Sequence, residues 1–306
     1  MAHLQGLATC LLATLLACTS ALAIEEPPAN KTATQTTAPE SAETPDALAQ
    51  RGAEERAARE NRFAITPYKP NYLLPVSYND NPNRHYQELD PWEIKFQISF
   101  RIEILPDLLG GRLHFGYTQQ SYWQAYNSDL SRPFRETNYE PEITWGYWLP
   151  RSTERGLQYR GTMLAISHQS NGRSEPLSRS WNRLYANFIF DYGEFYFSVR
   201  PWYRIPEGEK SSPEDPSGDN NPDILDYMGY GEFLAVWARG EQRIGLMLRN
   251  NLDADNRGAA QLDWSFPIHA KVLGYMQWFY GYGESLIDYN HRVNRLGVGV
   301  MLNNWL

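Results

Sequence analysis

Cysteine is nearly missing from this sequence, and so is any long hydrophobic run beyond the N-terminus. The two cysteines, Cys10 and Cys18, both lie within the first 23 residues. If the chain is cleaved after Ala23, the mature protein has no thiol and no disulfide bridge, and its fold depends on noncovalent contacts. No later apolar run approaches the roughly 18 residues that a membrane-spanning helix requires, which excludes a helical membrane protein.

A basic surface is lacking as well. The 306 residues carry a formal net charge of −8, which argues against a nucleic-acid partner. The mean hydropathy of −0.57 does not exclude a membrane β-barrel, because barrel strands alternate apolar and polar residues and form no long apolar run. A membrane barrel is therefore still open after these exclusions.

Residues 1–23 have the pattern of a signal peptide for export. An apolar stretch precedes Ala21-Leu22-Ala23, which is a small-x-small cleavage site. The start carries no Lys or Arg, and the alternative is a lipoprotein signal in which Cys18 is acylated. Residues 24–61 are rich in Ala, Thr, Glu and Pro, which predicts a low-complexity, disordered periplasmic leader. The barrel domain is predicted to comprise residues 62–306.

The remaining chain alternates with a period of two. From Trp92 to Ile104, apolar residues alternate with polar ones such as Glu93 and Lys95, as in a strand with one apolar and one polar face. A water-soluble β-sandwich shows the same alternation, so the pattern alone does not choose between the two. We predict twelve strands, at residues 71–78, 92–105, 111–126, 141–149, 156–168, 180–191, 194–204, 224–238, 241–251, 258–266, 270–282 and 294–303.

The connections between these strands favour a membrane barrel over a water-soluble β-sandwich. Long and short links alternate along the chain, which is the organisation of an outer-membrane barrel with both termini on the periplasmic side. The predicted fold is therefore all-β, a 12-stranded antiparallel transmembrane β-barrel of the bacterial outer membrane. The long links, including residues 127–140, 168–179 and 205–223, are then predicted to face the outside of the cell.

One of these outer connections carries the parts of an acyl-transfer site. His168 and Ser170 are two residues apart and share a face if the segment is a strand. Asn171-Gly172 favours a turn immediately after the serine, and a returning strand would bring Asn182 level with His168. A hydroxyl nucleophile, an imidazole base and an amide that fixes the imidazole fit acyl transfer. The alternative is an ordinary hairpin that happens to contain these residues.

The alternation also predicts which way this site faces. Asn182 shares a strand face with Leu184, Ala186 and Phe188, so it should point outward toward lipid. Polar groups in an apolar belt are costly unless they bond to one another or serve a function. The outer wall suits an enzyme whose substrate is the lipid itself, whereas a transported solute would require polar residues in the lumen.

Three stretches together resemble the outer membrane phospholipase A family, the calcium-dependent acyl hydrolases of the Gram-negative outer membrane. They are AISHQSNGRSEPLSRSWNRLY at 165–185, PFRETNYEP at 133–141 and GYGESLIDYN at 281–290. The resemblance extends from about residue 68 to the C-terminus. It implies a barrel in which Ser170 attacks an ester carbonyl, His168 moves the proton and Asn182 orients the imidazole. It also implies that the backbone N–H of Gly172 helps to stabilise the oxyanion.

The resemblance further implies a calcium ion and a partner subunit. The matching Ca²⁺ ligands are the carbonyl of Arg173, the hydroxyl of Ser178 and Ser131 of the partner subunit, and Glu175 lies where the family often has an acidic residue. Without this resemblance, Ser131 and Ser178 would be interpreted as ordinary loop residues. Gln119 matches a glutamine of the family's dimer interface. The alternative is that Gln119 lies at the membrane–water interface, close enough to the rim of the barrel to reach water. In this family the monomer is dormant and the calcium-bound homodimer is active.

The predicted function is hydrolysis of sn-1 and sn-2 acyl esters of membrane phospholipids and lysophospholipids at the outer leaflet. Two alternatives stay open: a non-catalytic, porin-like barrel and a lipid A deacylase. The acidic loop that includes Glu207 is read as a solvated loop, although divalent cations could bind it. Glu284 and Asp288 are read as outer-loop structure.

Overall fold

The computed structural model describes residue 52 and residues 65–303, apart from 85–87, 153–155, 213–214, 216 and 270–271. The predicted signal peptide and nearly all of the predicted leader lie outside this part of the chain. Within it, no helix is long and apolar enough to cross a membrane.

The fold is a closed antiparallel barrel of twelve strands, β2 to β13, and this confirms the predicted fold class. Each strand pairs with its neighbours in sequence, and β13 pairs with β2 to close the barrel. A short additional strand, β1, pairs with β3 beyond the point where β2 leaves it. The strands are β1 (Ile65–Pro67), β2 (Asn71–Asn79), β3 (Trp92–Leu108), β4 (Gly111–Trp123), β5 (Phe134–Trp148), β6 (Gln158–Ser170), β7 (Ser180–Tyr192), β8 (Phe195–Ile205), β9 (Gly231–Arg239), β10 (Gln242–Asn250), β11 (Gly258–His269), β12 (Val272–Gly281) and β13 (Val293–Asn303).

Two strands begin seven residues away from their predicted starts, β9 at Gly231 and β5 at Phe134. The strand expected from residue 224 is preceded by a short helix, α1 (Ile224–Met228), and β9 begins only at Gly231. Ile224 and Met228 are four residues apart, so one helical turn buries both side chains in the same cluster. Gly229 then reverses the chain at a φ of 66°. A β-carbon at this position would lie 2.1 Å from the carbonyl oxygen of Asn250.

Strand β5 begins at Phe134, seven residues before the predicted start at 141. The polar run that suggested a loop is paired with β4, for example Glu136 with Tyr122. These polar side chains point into the barrel, where Arg135, Glu136 and Asn138 are buried. Polarity in this segment therefore marks the inner face of a strand and not a solvated connection.

Burial in this barrel is the reverse of burial in a soluble protein. Along β3, Glu93, Lys95 and Ser99 are buried, whereas Trp92 and Ile98 are 44% and 50% exposed. An apolar outer wall around a polar interior is the arrangement that lipid on one side and a hydrated lumen on the other would favour.

Ion pairs close the outer end of the lumen. Glu284, in the connection after β12, bonds to Lys95 and Arg295 at 2.9 Å each. Asp288, in the same connection, bonds to Arg135 at 2.5 Å. Glu93 joins the two groups, at 2.5 Å from Arg135 and 3.0 Å from Arg295. These contacts tie residues 282–292 to three strands and give Glu284 and Asp288 structural roles.

The pKa values of the two loop carboxyls follow from this cluster. Burial alone would raise the pKa of Glu284, but the charges of Arg295 and Lys95 outweigh it and lower the pKa to about 2. Burial likewise opposes ionisation of Asp288, and the charge of Arg135 together with several hydrogen bonds lowers its pKa. Both carboxylates are therefore ionised at neutral pH and contribute to stability there.

Candidate active site

Strands β6 and β7 bring the histidine and the asparagine together. Their register pairs His168 with Asn182 and Ser170 with Ser180. His168 Nδ1 lies 2.8 Å from Asn182 Oδ1, which is a hydrogen bond. The turn between the strands begins at Asn171, and the spacing of His168 and Asn182 on its two sides agrees with this register.

The site lies on the outer wall of the barrel. On β6, Leu164 and Ile166 are exposed together with His168, whereas Ala165 and Ser167 between them are buried in the interior. The catalytic candidates thus share a face with the lipid-facing side chains, as alternation requires.

Ser170 is on the same face of β6 as His168, two residues further along. Within the described residues the His168 ring bonds to Asn182, and no hydrogen bond joins it to the Ser170 hydroxyl. Catalytic hydrogen bonds are often long in substrate-free enzymes and shorten when substrate binds. The strand places the hydroxyl on the correct side for this contact.

Asn171 holds the loop after the serine in shape. Its side-chain oxygen accepts from the N–H of Arg179 at 3.0 Å, and its amide nitrogen donates to the carbonyl of Leu177 at 2.8 Å. Gly172 follows at a φ of 63°, in the left-handed region that favours glycine. In the described part of the chain its N–H donates no backbone hydrogen bond. This donor is therefore available to an oxyanion.

The predicted calcium ligands are oxygen atoms, the type that Ca²⁺ prefers. Arg173 and Ser178 lie in the loop that Asn171 closes, and the Ser178 hydroxyl accepts a hydrogen bond from Asn220 at 3.0 Å. Ser131 lies in a different connection, and its N–H bonds locally to Ser128. The described residues contain no cluster of three or more His, Cys, Asp or Glu that could hold a metal ion. A site here would therefore depend on carbonyl and hydroxyl oxygens.

Gln119 lies on β4, on the same face as Phe115 and Tyr117. Its side-chain oxygen accepts from the Tyr117 hydroxyl at 3.1 Å, and its nitrogen donates to Ser121 at 3.2 Å. Each end of the amide thus has a partner on its own strand, which lowers the cost of an amide on the outer wall.

One further residue contacts the site, and its sequence pattern had predicted only a solvated loop. The Asn182 amide nitrogen donates to Glu207 Oε1 at 2.7 Å. Glu207 is 25 positions away in the connection after β8. A run of acidic residues in a long loop carries no sign of such a contact, because the contact depends on how the loop folds back over β7.

Known proteins match both the sequence and the architecture of this chain. The phospholipase A1 family profile matches residues 48–302. Phospholipase A1 of Klebsiella pneumoniae is 39% identical over 254 residues, which cover 80% of this chain and 84% of that protein.

Two solved structures have the same fold. Outer membrane phospholipase A from Escherichia coli gives a TM-score of 0.71 at 37% identity, covering 80% of this chain and 100% of that one. The Salmonella typhi outer membrane phospholipase, a dimer with bound calcium, gives 0.72 at 38% identity, covering 80% and 94%. The expected enzyme class and location are confirmed: the chain belongs to the phospholipase A1 family and is an ester hydrolase of the bacterial outer membrane.

Proposed function

We propose that Ser170, His168 and Asn182 form the catalytic triad of this phospholipase, acting on sn-1 and sn-2 acyl esters of phospholipids and lysophospholipids. The observation that carries the proposal is the 2.8 Å hydrogen bond between His168 and Asn182, two polar side chains paired on the lipid-facing wall. The mutual bond lowers the cost of placing two polar groups on this wall, and polar groups in an apolar belt favour a functional role such as chemistry on the lipid.

The first half of the reaction acylates the serine. The Nδ1 proton of His168 is donated to Asn182 Oδ1, which leaves Nε2 free to accept the proton of Ser170 as Oγ attacks the ester carbonyl. The N–H of Gly172 donates to the oxyanion of the tetrahedral intermediate. When the intermediate collapses, His168 returns the proton to the leaving alcohol.

The second half of the reaction releases the fatty acid. Water attacks the acyl ester of Ser170, and His168 Nε2 accepts a proton from this water. Collapse of the second intermediate returns the proton to Ser170 Oγ. Both halves use the same base and the same oxyanion donor, so a single arrangement of side chains serves the whole cycle.

A shallow apolar groove beside the site suits the acyl chain. It has a volume of about 590 Å³ on the outer wall, and Leu164, Ile166 and Leu184 line it. Two of these residues precede His168 on the same face of β6. A chain lying in this groove would run directly toward the nucleophile, whereas the headgroup would remain at the outer rim.

The proposal includes a calcium ion held between two subunits. Its ligands would be the Arg173 carbonyl, the Ser178 hydroxyl and Ser131 of the partner subunit, and the support is the oxygen chemistry of these groups together with the calcium-bound dimer of the Salmonella typhi relative. Calcium bound there would supply positive charge beside the oxyanion, which a triad with a neutral amide needs. Activity would then require the homodimer, with Gln119 at its interface, and the monomer would be dormant.

Acyl release from mixed phospholipid–detergent micelles tests this function. We expect release with calcium, none with a chelator, and none from Ser170→Ala at equal amounts of folded protein. Release that survives in Ser170→Ala would contradict the assigned nucleophile. If the well-folded dimer releases no acyl chain from any phospholipid, the proposed function is wrong and the two alternatives, a porin-like barrel and a lipid A deacylase, remain.

A further inference from the structure

The connection between β8 and α1, residues 206–223, is called the outer loop here. Its described residues contact the connection between β6 and β7, residues 171–179, which we call the catalytic loop. Lys210 in the outer loop pairs with Glu175 at 2.6 Å. Asn220 donates to Ser178 at 3.0 Å. Both contacts are made with Ser178, a predicted calcium ligand, or with Glu175 near it. A third contact of the outer loop is made with Asn182 of the proposed triad.

That contact is made by Glu207. Strand β8 ends at Ile205, which pairs with Asn182 across the sheet, so the chain leaves the strand directly beside the amide. Glu207 Oε1 then accepts from Asn182 Nδ2 at 2.7 Å. Arg204 fixes the base of the outer loop through two bonds to Asp219, at 2.6 and 2.7 Å. The carboxylate of Glu207 is half-buried in this position.

We propose that Glu207 is a positioning residue, which extends the triad into a chain of His168, Asn182 and Glu207. The inference rests on the proposed roles of the first two. A carboxylate only accepts hydrogen bonds, so the NH₂ group of Asn182 must face Glu207 and its oxygen must face His168. That orientation requires the imidazole proton on Nδ1 and leaves Nε2 as the base.

The charge of Glu207 adds a second effect. A neutral asparagine stabilises an imidazolium less than an aspartate would. A carboxylate bonded to the NH₂ group polarises the amide and increases the negative charge on its oxygen. The imidazolium that forms during catalysis thereby gains stabilisation, without a carboxylate in direct contact with the ring.

The test measures kcat and KM separately, at saturating calcium, for Glu207→Ala and Glu207→Gln. Alanine removes the charge and the acceptor, and we expect kcat to fall about tenfold with KM within about twofold. Glutamine keeps an acceptor oxygen, so its loss should be smaller, about threefold. Glu209→Gln removes the same charge from an exposed position in the outer loop and should match the unmodified enzyme.

A second comparison separates positioning from simple bracing of the loop. Lys210→Ala breaks a loop contact without touching Asn182. Because it removes a positive charge that pairs with Glu175, near the predicted calcium ligands, it should lower the calcium concentration for half-maximal activity and leave kcat at saturating calcium unchanged. Glu207→Ala should leave that concentration unchanged. A Glu207→Ala enzyme that loses activity only through weaker calcium binding would overturn the proposal.

The double variant Asn182→Ala/Glu207→Ala completes the test. Because Glu207 acts through Asn182, the double variant should be no slower than Asn182→Ala, and an additive loss would refute the inference. If Asn182→Ala already falls to the Ser170→Ala baseline, the single variant decides. An unchanged kcat in Glu207→Ala, with Ser170→Ala inactive, would overturn this inference and leave the proposed function intact.

Discussion

Replacing Glu284 with glutamine should destabilise the barrel by an amount that depends on pH. The change keeps the side-chain shape and removes the charge that bonds to Lys95 and Arg295. In the folded protein the Glu284 pKa is about 2 against an ordinary value of 4.5, and at about 1.36 kcal/mol per tenfold change in proton affinity this is roughly 3 kcal/mol at neutral pH. The same magnitude is typical of breaking a buried ion pair, roughly 3–5 kcal/mol.

The sign of the pH dependence follows from the lowered pKa. The stabilisation by Glu284 is fully present above about pH 5, where the carboxyl is ionised in both states, and it is lost as the pH falls toward about 2. The difference between the two proteins should therefore shrink over that range.

The assay is guanidinium unfolding in detergent micelles, followed by the fluorescence of the 10 tryptophans. Asp255→Asn is the control, because its ion pair with Arg257 is at the surface and Asp255 is 76% exposed. This control should hardly change the free energy of unfolding. A cost of less than about 1 kcal/mol for Glu284→Gln at pH 7, or a difference that persists on acidification, would refute this prediction.

Three further predictions concern the site. Gly172→Ala and Gly193→Ala each place a β-carbon at a φ near 60°, so each variant should lose about 1 kcal/mol of stability. Only Gly172→Ala should also lose phospholipase activity, because Gly172 is the proposed oxyanion donor, whereas the β-carbon added at Gly193 has no atom within 4 Å. Ser178→Ala should raise the calcium concentration for half-maximal activity about tenfold, whereas the exposed Ser174→Ala should not; equal curves would remove Ser178 from the ligand set. Gln119→Leu should reduce calcium-dependent dimer in cross-linking, and an unchanged dimer fraction would contradict its place at the interface.

The period-two pattern predicted the strands, because each strand needs one face for lipid and one for the lumen, and the alternation of long and short connections was needed to predict the membrane barrel. The pattern gave the wrong strand start at two places, where a short segment also fits another kind of structure. In α1 (Ile224–Met228), two apolar residues four apart satisfied a helical turn as readily as a strand. At the start of β5, a dense run of polar side chains resembled a loop, since the sequence does not show that partners for them, such as Glu93 and Asp288 for Arg135, lie inside the lumen.

The pairing of His168 with Asn182 was predictable from spacing, because a hairpin fixes its own register. The ion cluster was not. Glu93 and Arg135 are 42 positions apart, and Arg135 and Asp288 are 153 positions apart. Contacts over such separations depend on the closure of the barrel, which alternation does not encode. The hydrogen bond between Glu207 and Asn182 was not predicted for a related reason, because it depends on how a long loop folds.

The inner face of β6 and β7 explains how their outer face can hold the proposed triad in a precise geometry. Glu140 accepts from Ser167 at 3.2 Å and from Arg183 at 2.6 Å, one residue from His168 and from Asn182 respectively. Gln169, between His168 and Ser170, accepts from the Trp181 indole at 2.8 Å. Because side chains alternate, each outward group of the proposed triad has covalent neighbours that are fixed inside the barrel. A site facing fluid lipid gains little rigidity from its own side, so the polar lumen supplies the preorganisation that catalysis needs.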